Sequence, residues 1–349
     1  MTPSVSAIGM PSRAPSRRPA AAVVPGARRV VVLGGGTGAG VLLQGLRRAL
    51  FPARGRAPRA EERDRLTAIV TVADDGGSSG RLRAELGGVA PGDIRKCLLA
   101  VADADPTLAA LFGFRFDGQG GLAGHSLGNL ILAALARIEG ELPRALDRVA
   151  ELLGTRGRIL PATPDDVRLV AEYADGTSME GESRIPTAGR PIRRIRLCPE
   201  GARALPEALE ALALADVIVI GPGSLYTSLI PVLLVREVAA ATARSKARVV
   251  LVMNLLTQPG ETDGYTALDH LLALRRHAPQ VPIHHVLVNV TPIPRARRDG
   301  SAGPSARPVA VSASSLRALG CRPHERHLLA DDHVRHDPHR LARAVLELS

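Results

Sequence analysis

A glycine-rich loop is the feature of this sequence best suited to binding phosphate. The run Gly34-Gly35-Gly36-Thr37-Gly38-Ala39 follows a short run of β-branched residues, precedes a helix-length stretch and satisfies the pattern G-x-G-x-x-A. Glycines at these places permit a tight turn and close approach of a ligand to the backbone, while free amides at the helix start donate to phosphate oxygens. A purely structural turn is the alternative. The context of strand and helix favours a phosphate-binding loop.

Two adjacent carboxylates follow the next predicted strand. Asp74 and Asp75 begin the run Asp74-Asp75-Gly76-Gly77-Ser78-Ser79-Gly80. In a dinucleotide-binding fold an acid at this strand end accepts a hydrogen bond from a ribose hydroxyl, and the pair could equally hold Mg²⁺ between phosphates. An Asp-Gly turn explains two of these residues but not the second glycine and the two serines. We predict that both carboxylates contact a ligand, with Mg²⁺ as the cofactor they suggest.

The same run also matches G-x-S-x-G, the pattern around the nucleophile of serine hydrolases. In that pattern the serine stands at a sharp turn directly after its strand, whereas Asp74 to Gly77 intervene here. We therefore do not expect a serine hydrolase.

Two further motifs stand where apolar helical stretches begin. They are Pro91-Gly92-Asp93-Ile94-Arg95 and His125-Ser126-Leu127-Gly128-Asn129. Helix capping is sufficient to explain Asp93 and Ser126. It does not require Arg95, which suits a bidentate contact to phosphate, or His125 and Asn129, of which the latter suits a contact to a base or sugar.

A second glycine loop follows another predicted strand. The run Gly221-Pro222-Gly223-Ser224 comes directly after an apolar strand, and Asn254 and Gln258 follow the strand after it. Polar residues thus follow four separate strands, which is the arrangement of a ligand site in an open α/β sheet. The two lysines, Lys96 and Lys246, lie outside any Walker sequence, so hydrolysis by an ordinary P-loop is disfavoured.

The elements that must position these residues alternate between strands and helices. Short β-branched runs predict strands, and amphipathic stretches between them predict helices. The alternation predicts an α/β fold, Rossmann-like and doubly wound, with a mainly parallel sheet. The predicted strands are 30–33, 68–72, 217–220, 249–253 and 285–290, and the predicted helices are 39–50, 94–102, 127–138, 205–214, 230–244 and 265–276.

Three regions fall outside this alternation. Residues 1–29 are basic and rich in Pro, Ala and Ser, which predicts a disordered extension. Residues 51–65 are predicted to form a surface insertion, and residues 154–200 a small β-rich subregion. We expect residues 30–349 to form a single nucleotide-binding domain.

Composition excludes several classes of protein. The net charge is +11, but its excess lies in residues 1–29, 45–65 and 291–349, and only seven aromatic residues are present, so we expect no nucleic-acid partner. Apolar runs are too short to cross a bilayer, so we expect no membrane partner. Three separated cysteines form no CxxC pair, which suits a cytoplasmic protein.

Histidines cluster near the C-terminus, at positions 324, 327, 333, 336 and 339, among aspartates 331, 332 and 337. Their spacing matches no tight set of metal ligands, and surface histidines are common. A metal site here is therefore disfavoured.

Taken in order, the motifs resemble the gluconeogenesis factor family, which is related to 2-phospho-L-lactate transferase. The matching segments are VVVLGGGTG, TVADDGGSSGRLR, PGDIRKCL, HSLGNL, GPGSLYTSLIPVLLV, MNLLTQPGETDGYTALDHL and VRHD. The resemblance implies a Rossmann-like protein that binds a uridine diphosphate sugar and acts in growth on gluconeogenic carbon sources, cell shape and cell-wall synthesis. Family members tend to carry a further aromatic residue after the Asn-Val segment, whereas this chain has none after Tyr265.

The resemblance also implies a set of ligand-binding residues. Arg335 of the VRHD segment would approach phosphate. With the residues already singled out, the candidate ligand-binding set is Gly35, Gly36, Thr37, Gly38, Asp74, Asp75, Gly76, Ser78, Arg81, Asp93, Arg95, His125, Asn129, Gly223, Ser224, Asn254, Gln258 and Arg335.

Three functions remain open at this stage. The first is a regulatory protein that binds a nucleotide sugar and presents a changed surface to a protein partner, because the loops offer phosphate contacts but no evident nucleophile and no general base beyond His125 and the aspartates. The second is an Mg-dependent transferase that uses a nucleotide diphosphate donor. The third, a nicotinamide oxidoreductase, rests on fold analogy alone. Assembly into a homo-oligomer is compatible with each.

Overall fold

A seven-stranded parallel sheet forms the centre of the protein. The computed structural model describes residues 28–52, 59–88, 90–294, 305–331 and 334–348. The strands of this sheet are β1 (Val30–Gly34), β2 (Leu66–Val70), β3 (Arg158–Pro161), β7 (Val217–Ile220), β8 (Arg248–Val252), β9 (His285–Asn289) and β10 (Arg322–Arg326). Their order is β10-β9-β8-β7-β1-β2-β3, and each neighbouring pair is parallel.

The strand order reverses between β1 and β7. From β1 the chain adds β2 and β3 on one side, then returns to place β7 beside β1 and continues outward to β10. Val30 pairs with Leu66 on one side and with Val217 on the other. This confirms the doubly wound prediction, and a crevice outside the carboxyl ends of β1 and β7 is where such sheets bind ligands.

All five predicted strands are present within two residues of their predicted bounds, because each is a run of β-branched residues buried on both faces. Within the described central sheet, β3 and β10 were not predicted as individual strands, although β3 lies in the predicted β-rich subregion. β3 is four residues long and ends in proline, and β10 reads Arg-Pro-His-Glu-Arg at the edge of the sheet. An edge strand is partly solvated and needs no apolar run.

Helices flank the sheet. They are α1 (Gly36–Leu50), α2 (Ala60–Arg63), α3 (Gly77–Leu86), α4 (Gly92–Val101), α5 (Pro106–Gly113), α6 (Leu127–Glu139), α7 (Leu142–Leu152), α8 (Pro206–Ala213), α9 (Ile230–Leu234), α10 (Arg236–Arg244), α11 (Ala267–His277), α12 (Ala313–Ala318) and α13 (Pro338–Glu347). α1 begins three residues earlier than predicted, since the glycine loop itself supplies its first turn.

The prediction of one helix over residues 230–244 was wrong. Residues Leu225–Leu229 form a π-helical turn, α9 follows it, and Val235 is extended before α10 begins. The two helical pieces are bent by 78°. Among the described residues, no single helix is long and apolar enough to cross a membrane. The bent pair meets that criterion of length and hydropathy only when its two pieces are counted together.

The region 154–200 is β-rich as predicted, but it divides between two sheets. Its first strand, β3, pairs with β2 in the central sheet. The strands β4 (Arg168–Tyr173), β5 (Ser178–Glu180) and β6 (Ile192–Cys198) form a separate antiparallel sheet in the order β5-β4-β6. We call the turn that joins β5 to β6, residues 181–191, the β5–β6 loop.

The predicted N-terminal extension and the insertion lie mostly outside the described residues, which begin at Arg28 and omit 53–58. The amide of Arg29 donates to Asp216 Oδ2 over 2.7 Å, just before β7. In the insertion, α2 occupies four of the described residues. The described part of the insertion therefore contains a short helix rather than loop alone.

Candidate functional site

The two glycine loops meet at the crevice between β1 and β7. The first loop runs from Gly34 into α1, and the second, residues 221–224, contains a cis peptide bond between Gly221 and Pro222. A Cβ atom at Gly38 would overlap the carbonyl oxygen of Pro222. Glycine is therefore required at position 38 by the close approach of the second loop to the first turn of α1.

Asp93 lies directly under the first glycine loop. Its carboxylate accepts a hydrogen bond from the Gly36 amide, and a Cβ at Gly35 would lie 2.5 Å from its Oδ2 atom. Lys96 Nζ donates to Asp93 Oδ1 over 2.9 Å. Burial raises the pKa of Asp93, and the charge of Asp74 adds to that rise, while Lys96 and the Gly36 amide lower it.

The capping interpretation of Asp93 and Ser126 was wrong. α4 begins after Pro91, and no side chain caps its N-terminus. Ser126 precedes α6 but its hydroxyl makes no capping hydrogen bond, and this buried oxygen has no partner within the described residues. The carboxylate of Asp93 instead packs under the first glycine loop, the candidate phosphate-binding loop.

The two adjacent aspartates have different surroundings. Asp74 Oδ1 accepts the amide of Gly76 over 2.9 Å. Asp75 accepts two amides of the β5–β6 loop, that of Glu182 at Oδ2 (3.0 Å) and that of Ser183 at Oδ1 (2.8 Å). Asp74 remains suited to a ligand or cation, whereas both oxygens of Asp75 already bind the backbone of a segment more than 100 residues away.

Glu182 joins the acidic side of the site through this contact. Burial raises its pKa to about 8, and the charges of Asp74 and Asp93 add to the effect. Glu182 was not predicted as a site residue, because the contact that places it depends on a distant aspartate and no local motif marks it.

Ser78 and His125 form a buried pair at the start of α3 and α6. Ser78 Oγ lies 3.2 Å from His125 Nδ1 and also accepts the amide of Ser126 over 3.2 Å. Both side chains are less than 5% exposed. On the same helix, Arg81 donates to the carbonyl of Ala123. These contacts fix α3 to the segment before α6.

Arg95 and Asn129 contact each other rather than standing apart. Arg95 Nε donates to Asn129 Oδ1 over 2.9 Å, and its Nη1 donates to the carbonyl of Phe112 over 3.2 Å. Asn129 Nδ2 lies 3.4 Å from Ser79 Oγ. Both side chains are buried, so they connect α4 and α6 beneath the carboxylate run.

Side chains that follow β8 fix the second glycine loop. Asn254 makes two hydrogen bonds to Gly223, accepting from its amide over 3.2 Å and donating to its carbonyl over 2.8 Å. Gln258 Nε2 donates to Ser224 Oγ over 2.7 Å. The predicted residues Gly223, Ser224, Asn254 and Gln258 are therefore in direct contact.

Glu261 also follows β8, like Asn254 and Gln258, and it was not predicted as a site residue. It accepts hydrogen bonds from the amide of Tyr226 and the hydroxyl of Thr227, each over 3.3 Å. Burial raises its pKa to about 7, and these two hydrogen bonds lower it. Its position in the TQPGET segment was visible in the sequence, but its burial was not.

A cleft of about 230 Å³ opens beyond the carboxyl ends of β8 and β9. Its wall combines amide and hydroxyl groups with apolar residues, among them Asn254, Asn289, Thr291, Pro292, Pro308 and Val309. Because Asn254 contacts both this cleft and Gly223, the cleft adjoins the second glycine loop.

Arg335 is placed at the surface. It lies in the turn that pairs Leu329 with His336, and its carbonyl accepts the amide of Ala330 over 2.9 Å. Its side chain is exposed, while burial lowers the pKa of the neighbouring His336 to about 4. The structure gives Arg335 no contact with either glycine loop among the described residues.

The carboxylates after β2 are the candidate ligands for a metal ion. Within the described ranges, no group of three or more histidines, cysteines, aspartates or glutamates could hold a metal ion, although His333 and Asp332 lie outside them. Asp74 accepts one backbone amide and fits a magnesium ion that is bound mainly through ligand phosphates and water. Asp75 accepts two backbone amides and keeps fewer lone pairs for a cation, so its part in a magnesium site stays a prediction.

Comparison with known proteins decides the family. Residues 30–329 match the family model described as 2-phospho-L-lactate transferase CofD. The chain is 45% identical to the gluconeogenesis factor of Halalkalibacterium halodurans over 322 residues, covering 92% of this chain and 96% of that protein. The chain belongs to the gluconeogenesis factor family. That of Bacillus subtilis is 42% identical over 322 residues, covering 92% and 98% of the two chains.

A solved structure agrees with this membership. A crystal structure of a protein from Bacillus halodurans matches with a TM-score of 0.83 and 45% identity, covering 91% of this chain and 99% of that chain. At this identity and coverage the two chains share one fold. The gluconeogenesis factor fold is therefore Rossmann-like, as the resemblance implied.

Proposed function

We propose that this gluconeogenesis factor family member is a regulatory protein that binds a nucleotide sugar, specifically a uridine diphosphate sugar, and acts in normal cell shape and cell-wall synthesis during growth on gluconeogenic carbon sources. The observation that carries the ligand part is the meeting of two glycine loops at the strand-order reversal, where Gly38 packs on Pro222. The regulatory role, and the proposed action in cell shape and cell-wall synthesis, rest on the family membership.

Two loops at one crevice suit a diphosphate better than a single phosphate. The first loop offers backbone amides at the start of a 15-residue helix, where the helix dipole favours an anion. The second loop approaches from β7 and is fixed by Asn254 and Gln258. A ligand with two linked phosphates can contact both loops at once.

The remaining parts of such a ligand have matching surroundings. The cleft beside Asn254 and Asn289 offers amide groups that can donate to and accept from a base or sugar. On the other side of the crevice, the carboxylate of Asp74 can accept hydrogen bonds from hydroxyl groups. Both features support a nucleotide sugar over a simple phosphate ester.

A regulatory role also agrees with how the site is built. The β5–β6 loop is bound to the site through Asp75, and a Cβ at Gly260 would overlap the carbonyl of Pro186 in that loop. Gly260 belongs to the segment 254–261 that holds the second glycine loop, so a ligand that shifts this loop acts on a surface segment that a protein partner can contact.

Thermal unfolding of the purified protein tests the proposal. We would compare the melting temperature alone and with UDP-N-acetylglucosamine, UDP-glucose, GDP or NAD, each with and without Mg²⁺. A ligand present at about 100 times its dissociation constant adds about 2.7 kcal/mol to the free energy of unfolding. A shift with the UDP sugars alone supports the proposal, and no shift with either UDP sugar contradicts it.

The second candidate is an Mg-dependent transferase acting on a nucleotide diphosphate donor. The family model and the carboxylates Asp74, Asp93 and Glu182 on one side of the crevice favour it. Asp74 would hold Mg²⁺, which would neutralise the charge on the diphosphate. A shift with GDP and Mg²⁺ alone, followed by Mg-dependent transfer to a deazaflavin acceptor, would select this function.

A further inference from the structure

Glu261 lies against the turn that carries the second glycine loop. Its side chain is buried, with the residue 7% exposed. One carboxylate oxygen accepts the Tyr226 amide and the other accepts the Thr227 hydroxyl, each over 3.3 Å. Both donors belong to the π-helical turn Leu225–Leu229, which directly follows Ser224. The carboxylate therefore fixes two consecutive residues of the turn that follows the second glycine loop.

Both hydrogen bonds are strongest with the ionised form of Glu261, because hydrogen bonds to a charged acceptor are roughly twice as strong as neutral ones. A carboxylate accepts at both oxygens, whereas a protonated carboxyl turns one of them into a donor. The amide of Tyr226 can only donate, so protonation at Oε2 would leave it without an acceptor. Protonation at Oε1 would keep the Tyr226 contact and reverse the contact with Thr227. In either case the charge-assisted hydrogen bonds of the carboxylate are lost or replaced by weaker neutral ones.

A second carboxyl faces the same hydroxyl. Thr227 lowers the pKa of Glu182, from the β5–β6 loop, so its side chain lies close to both carboxyls. The hydroxyl has one hydrogen, which it donates to Glu261 Oε1. With that hydrogen donated to Glu261, burial and neighbouring negative charge leave Glu182 as the carboxyl that keeps a proton.

The charges around these groups agree with that assignment. Glu182 faces Asp74 and Asp93 as well as Glu261, which together with burial raise its pKa to about 8. Lys96 binds Asp93 and offsets part of this negative charge. Glu261 faces the Tyr226 backbone, and the Tyr226 hydroxyl contacts Tyr265 over 2.8 Å. Burial raises the pKa of Glu261 to about 7.

We propose that Glu261 is a positioning residue of the ligand site, whose ionised form orders residues 224–227 for ligand binding and whose protonation loosens them. The proposal rests on the proposed function in one respect, namely that the second glycine loop contacts the ligand. Ligand binding at the site would then depend on pH near neutrality, through a residue that need not touch the ligand.

Isothermal titration with UDP-N-acetylglucosamine between pH 6 and pH 8 tests this proposal on the full chain. If the competent fraction follows one group of pKa about 7, the affinity of the wild type should be about tenfold higher at pH 8 than at pH 6. The Glu261→Gln variant should bind weakly and equally at both pH values. The matched control Glu210→Gln changes an exposed glutamate of α8 and should follow the wild type.

A pH-independent wild type, or a Glu261→Gln variant that keeps the tenfold change, would overturn the proposal. Thr227→Val gives a second test, because it removes the hydroxyl but keeps the shape of the side chain. Glu261 then loses a donor to its ionised form, so the midpoint of the pH dependence should move to higher pH. An unmoved midpoint would contradict the proposed contact.

Amide hydrogen exchange separates this proposal from the proposed function. If none of the nucleotides binds the wild type, the proposed function fails, but exchange of a peptide spanning residues 223–229 still reports on the loop. We expect the wild type to be more protected than Glu261→Gln at pH 8 and the difference to vanish at pH 6. Equal protection at both pH values would refute a positioning role.

Discussion

The two glycine loops occupy equivalent places on adjacent strands, yet they are held in different ways. The first, after β1, continues directly into α1 and is supported by one carboxylate, that of Asp93. The second, after β7, is followed by a π-helical turn and is held by side chains of a single segment, residues 254–261. The first loop is thus shaped mainly by its own backbone, and the second by its neighbours.

This difference shows how each loop can respond to conditions. A loop that begins a long helix has free amides, but its carbonyls accept the first helix hydrogen bonds, so a change of one neighbour should leave its backbone in place. A loop held by Asn254, Gln258 and Glu261 depends on the chemical state of each of these side chains. The second loop is therefore where sequence change or pH should act first.

The largest effect should come from the place where the two loops touch. Gly38→Ala puts a methyl group on the carbonyl of Pro222, and overpacking of this kind costs about 1–3 kcal/mol. We expect nucleotide binding to weaken about 10- to 100-fold, measured by titration calorimetry.

Gly40→Ala is the matched control in the same helix. The nearest atoms to its Cβ would be Ala100 Cβ at 3.8 Å and Lys96 O at 4.0 Å, which are ordinary contacts. Alanine also favours the helix by about 1 kcal/mol. Equal ligand affinity in the two variants would show that the contact between the loops is unimportant.

Asn254→Ala should have the next largest effect, confined to the second loop. It removes both hydrogen bonds to Gly223, which we expect to cost about 1–2 kcal/mol in unfolding free energy, measured by denaturant titration. The Asn254→Asp variant keeps the acceptor for the Gly223 amide, so its free energy of unfolding should fall by less than that of Asn254→Ala. A larger loss with Asp than with Ala would mean that the new charge, not the lost contacts, dominates.

Glu182→Gln should change the pH dependence of stability. Because the folded-state pKa is raised from 4.5 to about 8, the folded protein binds more protons than the unfolded chain between these values. The contribution of protonated Glu182 to the free energy of unfolding is complete below its pKa in the unfolded chain. It is lost as the pH rises through the folded-state pKa of about 8, by at most about 1.4 kcal/mol per pH unit.

The measurement is chemical denaturation of wild type and Glu182→Gln from pH 5 to pH 9. The wild type should lose stability relative to the variant as pH rises across this range, since glutamine does not titrate. A constant difference between the two would show that the pKa of Glu182 is not raised in the folded protein.

The smallest effect is expected from deleting residues 1–26. Their composition predicts no part in a packed core, and the deletion keeps Arg29, whose amide binds Asp216. The melting temperature should remain nearly unchanged by calorimetry. A large drop would show that the extension packs on the domain and would add it to the elements that support β7.

The features predicted well are those set by nearby residues. The β-branched runs before both glycine loops and the helix after the first were identified because burial on both faces leaves an apolar run in the sequence. The features missed depend on distant partners. β3 lacks a β-branched run long enough to identify it, and the break at Val235 leaves the helical pattern of residues 230–244 intact.

The candidate site follows the same division. Gly223, Ser224, Asn254 and Gln258 were predicted separately from strand ends, and the structure brings them into contact. Arg335 was predicted from resemblance, and the structure places its side chain at the surface. Whether each of these residues contacts a ligand stays a prediction that the titrations above address.

The sequence alone determined that this chain forms a doubly wound parallel sheet with glycine loops at its strand ends, because the periodicity of burial and the turn chemistry of glycine are local properties. The tertiary structure alone decided that Asp75 binds the β5–β6 loop, that Glu182 faces Asp74 and Asp93, and that Glu261 holds the second loop. These roles depend on burial and on partners far apart in the chain, and burial is what moves the pKa of a carboxyl toward neutrality.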